Sequence, residues 1–311
     1  MSIPVRFFVV CTSLLSLALA LNGCGGAVSL TDKGPHELFE MGLAQYEKGR
    51  YYKAIELFQA VVYNYPGDPV VDTAQYYLGL SYFGNKDYEL AGVEFNRLAA
   101  NYPSSAFFEH AIFMRAVSFF ESTPKHYGLD QSDLEKAIQQ FEDVIIDFPE
   151  SDLVPDARKY LLKARTRMAK KYYSSGVVYS RMQAYDAAKV YFQKVIDEFT
   201  DTEFGAQATY KYAEMDYRLG NYDDAHKRFR DFTVVFPNHK WVDKARKRAV
   251  ESAFRSAEQA YRQGDYALAQ QRLEKLQQEY PNNGYTDKIE DYLREIRDIT
   301  RQNTHTNETE S

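Results

Sequence analysis

The body of this 311-residue chain is one phrase written six times. Tyr51–Pro66 reads YYKAIELFQAVVYNYP, Tyr88–Pro103 reads YELAGVEFNRLAANYP, and Leu134–Pro149 reads LEKAIQQFEDVIIDFP. Tyr185–Thr200, Tyr222–Pro237 and Tyr266–Pro281 follow the same pattern. Each carries an Ala, then Phe or Leu four residues on, then a further apolar residue three later. Those spacings place three side chains on one helix face. The Ala lets a second helix approach closely, and the closing Pro cannot continue a helix. The aromatic near the end of each phrase falls at 65, 102, 148, 199, 236 and 280, so the period is 37 residues or more. A second helical pattern precedes each phrase. Thr73–Tyr88, TAQYYLGLSYFGNKDY, shows it best, with its turn at GNKD, and Gly49 and Gly220 mark the same turn elsewhere.

In the second unit Leu78, Gly79, Tyr82, Ala91, Phe95 and Pro103 occupy the signature spacing of the tetratricopeptide repeat, which the chain resembles. Thr200 replaces the closing Pro in the fourth unit, Leu273 replaces Phe in the sixth, and none has the family's leading Trp. No such unit can bury its apolar stripe alone, so stacking is required. The expected fold is all-α: a right-handed α-solenoid of about six helix-turn-helix repeats, with a concave and a convex side. The segment Thr286–Arg301, with Ile289, Leu293 and Ile296 on one face, is expected to cap it. Repeats one to three take residues 36–149, repeats four and five 150–237, and repeat six with its cap 238–301. The excess at 122–133 reads as a loop. The excess before repeat four reads as one long helix, N-capped by Ser151 or Asp152, with Pro155 in its first turn. The polar stretch 302–311 reads as a disordered tail.

The first residues carry a different message. Arg6 precedes an apolar run, Phe7–Leu21, too short for a secure membrane span, as in an export signal. Leu21-Asn22-Gly23-Cys24 resembles the lipobox of bacterial lipoproteins, although Asn22 is unusual there. The resemblance implies a signal peptide over 1–23, lipidation of Cys24, and a flexible tether over 24–35. The only other Cys is Cys11, inside that signal, so no internal disulfide can form after cleavage. Gly25, rather than Asp, follows Cys24, which by the same resemblance favours the outer membrane.

Catalytic signatures are missing. The six His, at 36, 110, 126, 226, 239 and 305, pair with no Cys, Asp or Glu at a metal-ligand spacing. There is no phosphate loop, GxSxG or HExxH motif, so neither an enzyme nor a cofactor or metal is expected. Carboxylate pairs such as Asp223–Asp224 read as solvated charge. Formal charge is −6, which disfavours nucleic acid.

Two surfaces remain. Mapped from the repeat signature, the positions facing the hollow are Phe39, Leu43, Thr73, Tyr76, Leu80, His110, Phe113, Val117 and Phe120. Such a trough suits an extended peptide with aromatic side chains; the alternative is that these residues pack against neighbouring helices. Lys159, Lys163, Arg167 and Lys170 recur at helical spacing, and Lys244–Arg248 (KARKR) forms a second basic cluster. The first stripe reads either as a docking strip for an acidic partner or as a solvated face.

The lipobox, tether and repeats together resemble the BamD/ComL-type outer-membrane protein assembly lipoprotein family, over roughly residues 36–237. Residues 127–203 carry most of that resemblance: a loop with Asp before repeat three, FP at its end, then the long basic helix. It implies a non-catalytic scaffold, lipid-anchored in the outer membrane and facing the periplasm. The implied partners are a BamA/Omp85-type barrel assembly protein, other assembly lipoproteins, and the C-terminal peptides of unfolded outer-membrane proteins. A related repeat lipoprotein serving polysaccharide export or cell division is the alternative. The family has five repeats, so the sixth exceeds its pattern.

Overall fold

Helix follows helix through a computed structural model that describes residues 32–281 and 284–309. The signal peptide, Cys24 and most of the tether lie outside the described residues. The chain divides into two compact units between Ala111 and Ile112, a boundary within the stretch 36–149.

The N-terminal unit holds α1 (Pro35–Glu47), α2 (Tyr51–Asn64), α3 (Val71–Gly84), α4 (Tyr88–Asn101) and the first turn of α5 (Phe108–Ser122). Helices pair because the phrase's three-residue face is buried. Ala54, Phe58 and Val61, then Ala91, Phe95 and Leu98, are fully enclosed. Leu38, Val71, Ala74 and Leu78 complete the core around α2. The rings need room, and glycine gives it: a Cβ on Gly42 would lie 2.7 Å from Phe58, and one on Gly79 2.6 Å from Phe95. At the entrance to α1 the Tyr65 hydroxyl donates to the Lys33 carbonyl at 2.8 Å, pinning the chain just ahead of that helix.

The second unit holds the rest of α5, then α6 (Ser132–Asp147), α7 (Val154–Arg181), α8 (Tyr185–Glu198), α9 (Glu203–Leu219), α10 (Tyr222–Val235), α11 (Val242–Arg262), α12 (Tyr266–Glu279) and α13 (Thr286–Thr309). The same face recurs, buried, at Ala137/Phe141/Val144, Ala188/Phe192/Val195, Ala225/Phe229/Phe232 and Ala269/Leu273/Leu276. Gly176 receives the Phe192 ring as Gly79 receives Phe95, its added Cβ falling 2.7 Å from Phe192. Ile289 and Ile296 of α13 cover the last pair. Each unit is thus a stack of antiparallel helix pairs, and the fold is an α-solenoid.

Five of the six turns inside the pairs, all but that between α5 and α6, share one backbone device. Gly49, Gly220 and Gly264 have φ of +68°, +81° and +81°; Lys86 and Gln183 hold the equivalent positions at +69° and +61°. Glycine meets that conformation without cost and Lys or Gln does not.

Several local expectations are corrected. Helix α7 starts after Leu153, and neither Ser151 nor Asp152 is its N-cap; the Ser151 hydroxyl instead accepts the Leu153 amide at 3.4 Å. Residues 302–309, read as disordered, continue α13. Asp223 is not simply solvated: it accepts from the Ser256 hydroxyl and from Arg272, tying α10 to α11 and α12. One carboxylate lies deep in the second unit. Asp216 is 1% exposed, with Lys189 Nζ at 2.6 Å and Arg228 at 2.9 Å, and both cations lie over the Tyr212 ring. Removing either partner would leave a buried charge short of compensation.

Candidate functional site

The hollow-facing candidates divide between the units and meet different fates. In the N-terminal unit Phe39 is core, tilted against Phe58 at 5.7 Å and edge-on to Tyr77 at 5.9 Å. Leu43 and Leu80 are half-buried, with Leu43 packed against the same core. Thr73 is half-buried, and its amide donates to the Asp72 carboxylate at 2.6 Å. His110 is exposed. Tyr76 is the centre of what remains open. Its ring stacks on Phe107 at 4.5 Å, tilts against Phe95 at 5.9 Å and meets His110 edge-on at 6.3 Å. The result is an aromatic shelf made by α3, the α4–α5 connection and the start of α5. Burial, with smaller contributions from Tyr46 and Tyr77, pushes the Tyr76 hydroxyl up to about 12, so it stays a neutral donor near neutral pH. Phe107 escapes the periodic pattern because it sits in a turn; an aromatic in the polar run SSAFFE is its only signal.

In the second unit the packing alternative is the one observed. Phe113, Val117 and Phe120 are buried. Phe113 packs on Phe141 and Tyr160, and Phe120 meets Tyr160 edge-on at 5.6 Å. Tyr160, on α7, also stacks on Phe141 at 5.6 Å. Once α7 supplies that ring, the apolar side of α5 is interior and offers nothing to a ligand.

The basic stripe is also sorted. Lys159, Lys163 and Lys170 are exposed, and the Lys163 ammonium lies 4.7 Å over Tyr160. Arg167 points elsewhere. Its guanidinium donates to the carbonyls of Phe120, Thr123 and Pro124 at 3.1, 3.0 and 2.9 Å, and lies over the Phe120 ring. These carbonyls lie in and just beyond the last turn of α5, and that of Pro124 also accepts from the Gln131 amide at 3.0 Å. Arg167 therefore closes a helix terminus instead of facing a partner. Its neighbour Arg165 grips Asp201 with two nitrogens at 2.8 Å and reaches the Glu198 carbonyl.

Among the described residues no group of three or more His, Cys, Asp or Glu could hold a metal ion. No described helix is long and apolar enough to cross a membrane. The surfaces that remain are a ring shelf on one unit and a lysine row on the other. The model of the YfiO family, described as outer membrane lipoprotein, matches residues 31–209, more than half of the chain. This chain belongs to the YfiO family. The match spans α1 to the first turns of α9 and so includes both surfaces. A tetratricopeptide-repeat model matches residues 251–283, within the sixth repeat. Relatives of this YfiO member include the outer membrane protein assembly factor BamD of Rickettsia prowazekii (strain Madrid E). It is 28% identical over 238 residues, covering 75% of this chain and 94% of that protein. The BamD of Caulobacter vibrioides is 22% identical, covering 74% of this chain and 77% of its own length. That of Pasteurella multocida is 21% identical, covering 64% and 79%. The BamD/ComL-type resemblance stated from the sequence therefore holds at the level of family.

Proposed function

We propose that this chain is a non-catalytic scaffold in the assembly of outer-membrane β-barrel proteins, held at the periplasmic face of the outer membrane by lipid on Cys24. The observation that carries the reading is the family match over residues 31–209, joined by relatives each named an outer membrane protein assembly factor. The N-terminal shelf of Tyr76, Phe107 and His110 receives the C-terminal segment of an unfolded client through its aromatic side chain. The lysine row Lys159, Lys163 and Lys170 on α7 meets an acidic face of the barrel assembly protein and speeds their encounter. Arg167, committed to the end of α5, is not part of that row.

The test is co-purification in mild detergent from envelopes. The barrel assembly protein is expected with the bait; recovery of only envelope-polymer or division proteins overturns the proposal. For the shelf, His110→Glu leaves helicity unchanged and weakens binding of a client C-terminal peptide by roughly 3- to 10-fold, through like-charge repulsion of the terminal carboxylate. Wild-type affinity in that variant removes the shelf from the client path.

A further inference from the structure

Four of the turns that lead from one repeat into the next share a hydrogen bond. In each, a side chain accepts the backbone amide of the residue two positions on. Asp68 accepts from Val70 at 3.0 Å, Ser105 from Phe107 at 3.1 Å, Ser151 from Leu153 at 3.4 Å and His239 from Trp241 at 3.2 Å. Every one of these acceptors lies two residues after the closing Pro of its phrase. Three are carboxylate or hydroxyl oxygens; the fourth is an imidazole nitrogen. A serine hydroxyl does not titrate near neutral pH and a carboxylate titrates near pH 4, whereas an imidazole titrates at about 6.5.

His239 accepts through Nδ1, which is therefore unprotonated, with the ring proton on Nε2. The ring is half-buried and stands edge-on to Phe232 of α10 at 5.5 Å and to Trp241 at 5.3 Å. Trp241 tilts against the enclosed Tyr210 ring of α9 at 5.0 Å. One imidazole thus fixes the residue from which α11, the first helix of the sixth repeat, springs.

The surroundings favour the neutral ring. Burial, and then the ammonium of neighbouring Lys240, hold the His239 imidazole below the usual histidine range. On α11, Lys244 lies 5.9 Å over the Trp241 ring, and Asp243 is paired with Arg246 at 2.7 Å. On α10, Asp231, beside Phe232, is exposed. On α9, burial pushes the Tyr210 hydroxyl up to about 12, so it carries no charge.

We propose that His239 is a pH-sensitive latch: a proton on Nδ1 removes the acceptor of the Trp241 amide, frees Trp241 from its seat against Tyr210 and loosens the start of α11 in mild acid. An imidazole kept neutral by the fold contributes stability that is full above about pH 6.5 and is lost as pH falls through its folded value. One pH unit below 6.5, the shift in the opening equilibrium is at most about tenfold. The turns closed by Ser105 and Ser151 keep their acceptors over that range. The response is therefore specific to the join between the fifth and sixth repeats.

Trp241 is the sole tryptophan of the chain, so its emission reads this turn. The test titrates the full chain in detergent micelles from about pH 7.5 to about 5.5. Backbone hydrogen exchange is followed in parallel and corrected for its intrinsic pH dependence. The emission is expected to move to the red with a midpoint below about 6.5, and the Trp241 amide to open about 3- to 10-fold more often at the acid end. The amides of Phe107 and Leu153 should keep their protection. His239→Ser and His239→Asp install the acceptors of the other turns; each should retain the neutral-pH emission and abolish the response. Emission and exchange that do not change in wild type overturn the proposal, and so does a response that survives in either variant.

Discussion

Gly79 has no room for a methyl group. Its added Cβ would stand 2.6 Å from Phe95, a ring fully enclosed by its neighbours. Overpacking of this kind costs about 1–3 kcal/mol, and the better helix propensity of Ala returns about 1. Gly79→Ala is therefore expected to destabilise by a net of about 1 kcal/mol, read as a lowered urea midpoint; an unchanged midpoint would show that the ring slides aside. Gln183 presents the opposite case. At φ +61° it occupies the place that Gly220 and Gly264 take in other repeats. Gln183→Gly should stabilise the second unit by about 1 kcal/mol, read as a raised midpoint, with a fall counting against backbone strain at this turn. Asp201 tests electrostatics. The Arg165 guanidinium holds its carboxyl below the usual carboxylate range. A depressed folded pKa means stability that is present at neutral pH and lost as pH falls through the folded value. The carboxylate is 46% exposed, so the contribution is at most about 1 kcal/mol. Wild type should exceed Asp201→Asn in stability at pH 7, and the gap should narrow steadily as pH falls below the usual carboxylate range; a gap that does not change with acid would assign the effect to something other than the charge.

At the scale of the helix, the second members of the pairs are nearly interchangeable and the first members are not. Helices α2, α4, α8, α10 and α12 each have 14 residues, whereas α3, α7 and α11 have 14, 28 and 21. The uniform set is the one readable from sequence, because Ala, Phe or Leu, and a third apolar residue keep fixed spacing and are buried in every copy. For Phe113 and Phe120 the sequence leaves a hollow-facing and a packed reading both open. Their neighbour Tyr160 comes from another helix about 40 residues on, and helical spacing looks alike on a hollow-facing side and a packed one. Arg167 was misread for a related reason: a charge at surface spacing gives no sign of three upstream carbonyls in need of donors. Arg167→Met keeps the stem and removes those bonds. It should destabilise by about 1.5–3 kcal/mol, since hydrogen bonds to charged groups are worth that much. Hydrogen exchange should rise between Phe119 and Gln131, and unaltered protection there would return Arg167 to the lysine row.

For the molecule as a whole, packing between neighbours in the stack makes damage local. Phe58→Ala should cost about 3–5 kcal/mol within the first repeats. Exchange is expected to accelerate across α1–α3 while α11–α13 keep their protection; uniform acceleration would mean a single cooperative body. Tyr65, just past the end of α2, holds the Lys33 carbonyl, so the chain is clasped ahead of its first helix. Nine residue steps run from Cys24 to Lys33, and fully extended they would span at most about 30 Å. On the proposed lipidation of Cys24, that span bounds how far the first helix pair can stand from the bilayer, and Tyr65→Phe, by releasing Lys33, would lengthen it.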